Sequence, residues 1–467
     1  MTRRRGGNTN GLSAADKREL AMKGASVSRL AGFTLIKLLV TISIISILLT
    51  LTAVGVQAAR EAGRRSKCAS NLRQVALAVQ MYHNAHDGLP ALCTTYRRYD
   101  TVEKTDTGTE IGMCGAQIFL LPCLERGQVY SAFEESASLD PAERNDPPHV
   151  CCQTVPTELS DDPPIYIIKP SPPSCPKGTL PRHWAAGVVI PAFVCPSDGK
   201  SGAVESPERE YPDAGSPFDF SVWSFSRRNV MFNMGDAPLY NCDIDTPATK
   251  RGAFTPHSWK SFSHITDGLS NTLCLAESIT GEPTDYAAST NTTYPPKTGS
   301  PYSSTVSSVP ASSRGGDVRR DVVADPHARD PAGMRVWPGD CYRYVDPVDS
   351  LKIDNLESWG QRGTYWFVGK PLSNGFSANL PPNSLTCSFG YSPFGPVMGG
   401  VSSFHPGGAN AAMMDGSVRF IRDDIDTGSL MVPWPRLLET NQAVEGKSSY
   451  GVWGALGSIN GGETVSL

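Results

Sequence analysis

The chain has 467 residues and a mass of 50.1 kDa, which allows two or three domains with real hydrophobic cores. Its 42 basic and 46 acidic residues give a net charge of −4, which argues against a strongly basic nucleic-acid-binding protein. The chain holds 44 glycines and 38 prolines, and only 19% of its residues are charged. This composition excludes a coiled-coil rod and a fully disordered chain, and it favours a loop-rich exported protein with β-structure.

The first predicted element is a membrane-spanning helix. Leu38–Ala59 is a run of 22 residues without a charge, and as a helix it is about 33 Å long, enough to cross a hydrocarbon core of about 30 Å. A buried core helix rarely runs this far without a charge, and a cleaved secretory signal has a shorter apolar region. Arg3, Arg4 and Arg5 tip a nearly balanced charge distribution toward a cytoplasmic N-terminus.

The same helix is predicted to continue beyond the membrane as an amphipathic helix. Apolar residues recur at helical spacing, at Cys68, Leu72, Val75, Ala76 and Val79. Gly88 and Pro90 supply a stop signal. The pattern predicts one helix from Phe33 to Asp87, whose second half packs on a sheet of the same chain.

The rest of the chain is predicted to be a sheet domain with long loops. Short strand candidates with Gly and Pro between them favour a mostly antiparallel sheet; they are Ala186–Val194, Thr272–Glu277, Tyr365–Val368 and Ser417–Ile421. Two stretches, 141–183 and 281–330, are rich in Pro or in Ser, Thr, Pro and Gly, which predicts extended insertions.

Twelve cysteines all follow the membrane segment, and the chain contains no C-x-x-C. Zinc-ribbon and thioredoxin-like folds therefore lose their main support. An even count predicts several disulfides and an extracytoplasmic location for this part of the chain, and buried free thiols are the alternative. Cys114 and Cys123 are spaced as a local pair, while the connectivity as a whole stays open.

The segment from His405 to Gly416 is the strongest candidate for chemistry. Asp415-Gly416 lies between two strand-like runs, which predicts a two-residue hairpin turn with Gly416 at positive φ. Gly407 and Gly408 allow a bend that hydrogen bonds from His405 fix. The alternative is a metal site or acid–base pair made by His405 and Asp415. Because no nucleophile motif accompanies them, we favour a structural role and predict no catalytic residue.

Two further motifs offer oxygen ligands. Asp267, Gly268 and Asn271 lie on a predicted turn that can hold Ca²⁺, although the chain lacks the twelve-residue loop with a terminal Glu. An Asx-type turn that enters a strand is the favoured interpretation, and Asp198, close after Cys195, is similarly ambiguous. The sequence therefore predicts no metal ion and no cofactor. Ca²⁺ is the one alternative that these motifs leave open.

Residues Gly32 to Val40, with the sequence GFTLIKLLV, resemble the signal of type IV prepilins and pseudopilins. The resemblance implies that a prepilin peptidase cuts between Gly32 and Phe33 and that the new N-terminal Phe33 is methylated. Lys37 stands where that family has Glu, whose carboxylate is thought to pair with the N-terminal amine of a neighbouring subunit. Lys37 would repel that amine, although it can reach the membrane interface and leave insertion intact.

The rest of the chain, to about residue 425, resembles a bacterial family that joins a prepilin-like N-terminus to a large uncharacterised domain with a C-terminal H-x(9)-D-G motif. The landmarks occur in the family's order, and they are Leu120–Glu125, Phe193–Asp198, Ile265–Thr272, Leu380–Asn383 and His405–Gly416. The resemblance implies a non-enzymatic pilin-like or pseudopilin-like protein of a pilus-like or type II secretion-like assembly. An uncleaved, membrane-tethered binding protein is the alternative, and an external hydrolase is a weaker one.

These observations predict an α+β protein in which a long N-terminal helix packs on a mostly antiparallel sheet. Its expected location is the bacterial inner membrane, crossed once, with the N-terminus in the cytoplasm. The expected partners are the lipid bilayer, a prepilin peptidase and other pilin-like subunits, and not nucleic acid. The predicted divisions are a leader at 1–32, a helix at 33–88 with its membrane part at 38–59, an extracytoplasmic domain at 89–425 and a C-terminal tail at 426–467.

Overall fold

The structure is a computed structural model that describes the chain from residue 35 onward, with gaps. The described residues are 35–100, 105–138, 184–199, 202–205, 224–237, 251–256, 259–281, 322–324, 335–336, 338–339, 341, 358–359, 362–363, 366–388, 397–432, 434–435, 446–463 and 465. Gly32, Phe33 and the predicted insertion 141–183 lie outside them. The chain divides into two compact units, Met1–Arg60 and Glu61–Leu467.

A single helix, α1 (Leu35–His86), runs for 52 residues. The large apolar side chains of its first part, from Leu35 to Val56, are exposed. By length and composition α1 is able to span a membrane, as the sequence predicts.

The second half of α1 is amphipathic. Its buried residues repeat at helical spacing, and they are Cys68, Asn71, Leu72, Val75, Ala76, Ala78, Val79 and Tyr82. Asp87 ends the helix with a left-handed φ of 53°, and its N–H donates to the carbonyl oxygen of His83 at 2.7 Å. The predicted helix end at Asp87 is therefore confirmed to within one residue.

The other elements are short. The helices are α2 (Ala116–Phe119), α3 (Gly127–Ser138), α4 (Pro371–Asn374) and α5 (Gly451–Gly457). The strands are β1 (Cys93–Asp100), β2 (Thr105–Gly115), β3 (Ala203–Glu205), β4 (Ser224–Ser226), β5 (Val230–Asn233), β6 (Leu273–Glu277), β7 (Val322–Ala324), β8 (Arg335–Val336), β9 (Ser358–Trp359), β10 (Gly375–Phe376), β11 (Thr386–Ser388), β12 (Val397–Met398), β13 (Gly408–Met413), β14 (Val418–Arg422) and β15 (Trp434–Pro435).

A five-stranded sheet with the order β10-β5-β6-β13-β14 is the centre of the large unit. All its pairs are antiparallel except β10 with β5. A second sheet has the order β12-β11-β7-β9, and β11 and β7 are parallel in it. β6 and β14 confirm the strands predicted at Thr272–Glu277 and Ser417–Ile421, and the mostly antiparallel character is confirmed as well.

The central sheet is covered on both faces. Side chains of a strand alternate between faces, so Val230 and Phe232 of β5 join one apolar cluster and Met231 joins another. The first cluster contains the buried stripe of α1, including Val75. The second contains Trp453 of α5. The expected α+β fold, with the long helix packed on the sheet, is thus what the structure shows.

Two strand predictions are wrong. Ala186–Val194 falls on 3₁₀ helices at Trp184–Gly187 and Pro191–Phe193, because Pro191 cannot donate to a sheet ladder and starts a helical turn instead. The described residues of Tyr365–Val368 form turns and a single bridge rather than a strand.

Two observations concern the predicted divisions of the chain, and one predicted cysteine pairing is wrong. β7 belongs to the second sheet, although it lies within the predicted insertion 281–330. Trp453 is buried, so the segment set apart as a C-terminal tail contributes to the core. Cys123 is a free thiol, so it does not pair with Cys114. A short separation in sequence does not by itself bring two sulfur atoms within bonding distance.

Candidate functional site

Four separate segments of the chain meet at a buried group of side chains, which we call the His405 cluster: Glu61, Cys68, Cys195, Glu277 and His405. Glu61 and Cys68 belong to α1 and lie on one face, because seven residues are about two helical turns. Glu277 ends β6, while Cys195 and His405 lie in loops ahead of β3 and β13. All but Glu61 are buried, and one ligand atom from each of those four lies within 4.8 Å of the others.

A disulfide and two hydrogen bonds attach the Cys195 loop to α1. Cys68 and Cys195 form the disulfide. One turn further along the helix, the side-chain amide of Asn71 donates to the carbonyl oxygens of Pro191 at 3.0 Å and Val194 at 2.6 Å. The loop is therefore held against the helix at several points. Disulfides at Cys93 and between Cys341 and Cys387 are also present, so several disulfides are confirmed.

The imidazole of His405 lies between two carboxylates. Its Nδ1 is 2.7 Å from Oε1 of Glu61, and its Nε2 is 3.6 Å from Oε1 of Glu277 and 3.8 Å from Sγ of Cys195. Burial alone would disfavour the charged ring, but Glu277 and Glu61 outweigh burial and raise the pKa of His405. His405 is thus a buried ring whose positive form two anions stabilise.

Glu61 forms the more exposed side of the cluster. Partial burial works against its ionisation, yet hydrogen bonds from His405 and Arg64 prevail and lower its pKa. Arg64 donates to Oε2 from both Nε and Nη2, at 2.8 and 2.5 Å, and the Ser197 hydroxyl donates to Oε1 at 3.2 Å. Glu61 is therefore anionic at neutral pH and connects α1 to the Cys195 loop and to His405.

Glu277 is fixed by the neighbouring strand. Its Oε2 accepts the backbone N–H of Asn410 at 2.9 Å, and its Oε1 accepts the Asn410 side-chain amide at 2.8 Å. Both contacts follow from the antiparallel pairing of β6 with β13. The carboxylate is thereby oriented toward His405 from inside the sheet.

Hydrogen bonds that meet at Ser403 fix the bend before β13, and His405 takes part in them through its backbone N–H. Gly407 has a left-handed φ of 79°, and a Cβ on Gly408 would overlap the carbonyl oxygen of Ile421. The backbone N–H of His405 donates to Oγ of Ser403 at 3.0 Å, and that hydroxyl donates to the Gly408 carbonyl at 2.7 Å. The bend leaves the His405 ring free to face Glu61 and Glu277.

The β13–β14 turn has three loop residues rather than two. The N–H of Gly416 donates to the Met413 carbonyl at 3.0 Å, and the N–H of Met413 donates to the Ser417 carbonyl at 2.8 Å, so Met414, Asp415 and Gly416 form the loop. This turn type places a residue with positive φ at its third position, and Gly416 has a φ of 82°.

Asp415 takes part in this turn and not in the His405 cluster. Its Oδ1 accepts the N–H and the hydroxyl of Ser417 at 2.8 and 2.6 Å. The six residues of β13 lie between Asp415 and His405. From the first Cα to the last, this strand is about 17 Å long, since each of its five steps is about 3.4 Å. The geometry therefore does not support a metal site or an acid–base pair made by His405 and Asp415.

Asp198 is a buried anchor. Its Oδ2 accepts hydrogen bonds at 2.8 Å from the Asn229 side chain and from both the N–H and the hydroxyl of Thr280. Asn229 in turn accepts the N–H of Cys195 at 2.8 Å. Asp198 thus helps to position the Cys195 loop.

The loop that contains Asp267 is held against the C-terminal segment of the chain. The Asp267 carboxylate accepts the N–H groups of Gly461 and Gly462 at 2.7 and 2.9 Å. Gly268 has a φ of 93°, and the Asn271 side chain donates to the Asp267 carbonyl at 3.3 Å. These contacts give Asp267 a structural role, in which its carboxylate holds a distant segment rather than an N–H of its own turn as an Asx-type turn requires.

Sequence reasoning did not single out Glu61 or Glu277. A signal for Glu61 was present, because it is the only acidic residue in the 52 residues of α1 and lies seven residues before Cys68. Glu277 is the only charged residue of β6, which is otherwise apolar and fully buried. A charged side chain in a buried strand indicates that another charged or hydrogen-bonding group lies beside it.

Residues 57–428 match the model of a family described as a protein of unknown function, DUF1559. The chain belongs to the DUF1559 family. The match begins within α1, ends after β14 and includes every residue of the His405 cluster. The DUF1559 region thus excludes the prepilin-like segment at Gly32 to Val40. No curated protein and no solved structure matches the chain significantly.

Proposed function

We propose that the protein is a non-enzymatic, pilin-like or pseudopilin-like membrane protein that packs into a pilus-like or secretion-associated assembly. The observation that carries the proposal is the two-part character of α1. One uninterrupted helix has exposed apolar side chains in its first part and a stripe buried in a sheet core in its second part. A helix of this kind serves both as a membrane anchor and as the spine of a folded domain.

The proposed topology places the N-terminus in the cytoplasm and the large unit outside it, anchored in the inner membrane. The disulfides support this orientation, because such bonds persist in oxidising compartments. In the proposal a prepilin peptidase cuts between Gly32 and Phe33, and neighbouring subunits then associate through the apolar part of α1. The loops of the large unit determine what the assembly displays.

A membrane-tethered binding protein that keeps its leader and never polymerises is the second candidate. Lys37 favours it, because a cation at this position repels the N-terminal amine of an adjacent subunit. A hydrolase that uses His405 and Asp415 has less support, since β13 separates the two side chains.

Site-specific photo-crosslinking in membranes tests the proposal. A photoreactive residue replaces Ile45, a residue on the apolar part of α1 that is 51% exposed. We expect crosslinked dimers and larger species, and more of them when Lys37→Glu supplies an anion to the neighbouring amine. Lys37→Gln is the matched control, because it removes the positive charge without adding a negative one. If wild type and Lys37→Glu both yield monomers only, the tethered candidate replaces the assembly proposal.

A further inference from the structure

We propose that the His405 cluster is a redox-gated zinc site: when the Cys68–Cys195 disulfide is reduced, the two thiolates, His405 Nε2 and a Glu277 carboxylate oxygen bind Zn²⁺. Zn²⁺ with bonds of about 2.0–2.3 Å to four tetrahedral ligands requires ligand atoms about 3.3–3.8 Å apart. Nε2 of His405 is already 3.6 Å from Oε1 of Glu277 and 3.8 Å from Sγ of Cys195. All four ligand atoms lie within 4.8 Å of one another.

The set of donors selects the metal. Two thiolates, an imidazole and a carboxylate are ligands that Zn²⁺ accepts together, whereas Ca²⁺ and Mg²⁺ require oxygen ligands. Two thiolates and one carboxylate supply three negative charges against two on the ion, so charge favours binding. Because the ligands come from α1, two loops and β6, a bound ion would join the two elements that the disulfide joins and would attach the His405 loop and β6 to them as well.

The outer contacts are those of a metal site. A metal-binding histidine usually donates its second ring N–H to a carboxylate, which fixes the tautomer and directs the free nitrogen at the metal. Nδ1 of His405 has this contact with Glu61 at 2.7 Å. Asn410 holds Glu277 by two hydrogen bonds. Glu61 and Asn410 are therefore positioning residues, and the cluster lacks only two free thiolates.

The disulfide and the metal exclude each other. A dithiol reductant of the thioredoxin type transfers two electrons and two protons: its own sulfurs form a disulfide while the Cys68–Cys195 bond breaks into two thiols. Zn²⁺ then displaces to solvent both thiol protons and the proton on Nε2 of His405, as the Sγ atoms separate by side-chain rotation. In the reverse direction a disulfide oxidant accepts the two electrons, the sulfur–sulfur bond forms again and Zn²⁺ leaves. Solvent reaches the cluster from the side of Glu61, whose side chain is 24% exposed.

Cobalt titration of the full chain in detergent tests the proposal. The protein is reduced with a phosphine, desalted under argon and titrated with Co²⁺ as a spectroscopic substitute for Zn²⁺. We expect one equivalent to produce the thiolate-to-cobalt charge-transfer band and the strong visible bands of a tetrahedral site, both erased by Zn²⁺. The oxidised chain should show neither. Glu61→Gln should weaken binding by about 10–100-fold, as expected for a lost outer contact.

Matched variants separate this site from other thiols. Cys195→Ser and His405→Gln should lose the tetrahedral signal, whereas Cys387→Ala, which removes a cysteine of a different disulfide, should retain it. Absence of the signal in reduced wild type, or its persistence in Cys195→Ser, would overturn the proposal.

Circular dichroism recorded in parallel covers the case in which reduction unfolds the chain. The proposal then predicts that one equivalent of Zn²⁺ restores the native spectrum in wild type and not in Cys195→Ser. Failure of Zn²⁺ to restore the wild-type spectrum would overturn it equally.

Discussion

Replacing Val75 with aspartate should separate α1 from the central sheet. The Val75 side chain is fully buried in the cluster that joins the helix to the sheet. Val75→Asp loses about 2 kcal/mol of apolar burial. A buried carboxyl also has a pKa about 3–5 units too high, which adds about 4 kcal/mol at neutral pH. The total of about 6 kcal/mol is a large part of the roughly 5–15 kcal/mol that stabilises a domain.

Thermal unfolding of the full chain in detergent, followed by near-ultraviolet circular dichroism, measures the effect. We expect Tm to fall by roughly 10 °C or more, or the signal to be lost. At about pH 4 the carboxyl is protonated in the folded state and about half protonated in the unfolded state, where its pKa is about 3.9, so most of the ionisation cost disappears and about 2 kcal/mol remains.

Leu77→Asp is the matched control for this substitution. Leu77 is 45% exposed and lies about 200° around the helix from Val75, so the change should cost less than about 0.5 kcal/mol. Equal Tm values for the two variants would refute the inferred packing of α1 on the sheet.

Three further predictions concern the cluster and its supports. In the oxidised chain the ion pair of Glu61 with His405 stabilises the folded state fully between the ordinary glutamate pKa of about 4.3 and the ordinary histidine pKa of about 6.5. Its contribution is lost as pH rises through the raised pKa of His405. The Tm difference between wild type and Glu61→Gln should therefore be larger at about pH 6 than at about pH 9; a constant difference would contradict the ion pair. Asp198→Ala leaves buried donors without an acceptor and should cost about 2–4 kcal/mol in denaturant unfolding; an unchanged free energy of unfolding would contradict the anchoring role of Asp198. Gly416→Ala forces a side chain into a left-handed conformation and should cost about 1–2 kcal/mol, while Gly199→Ala, which has open space, should cost little; equal losses would refute the turn geometry.

Local patterns predicted the parts of the fold that depend on local chemistry. The apolar run and the helical spacing after it predicted both halves of α1, and short strand candidates with Gly and Pro between them predicted β6 and β14. The turn at Asp415 and Gly416 followed from the conformational freedom of glycine, although the loop has one residue more than expected. The strand prediction at Ala186–Val194 was wrong because a proline can either mark the end of a strand or begin a 3₁₀ helix, and sequence alone does not distinguish the two.

The His405 cluster depends on contacts between distant parts of the chain. Glu61 and His405 are 344 residues apart, and Cys68 and Cys195 are 127 apart. Hydrophobic periodicity locates the face of a helix or strand, but it does not identify which distant loop supplies the partner of a charge. The residue types at His405 and Cys195 attracted notice from sequence, whereas the role of Glu61 becomes clear only when α1 lies beside the Cys195 loop.

The intact mass and N-terminal sequence of the protein recovered from membranes test the proposed function most directly. The proposal predicts a chain that begins at methylated Phe33, released by cleavage after Gly32 despite Lys37. A chain that retains residues 1–32 would contradict it and would make the helix an anchor for a tethered binding protein.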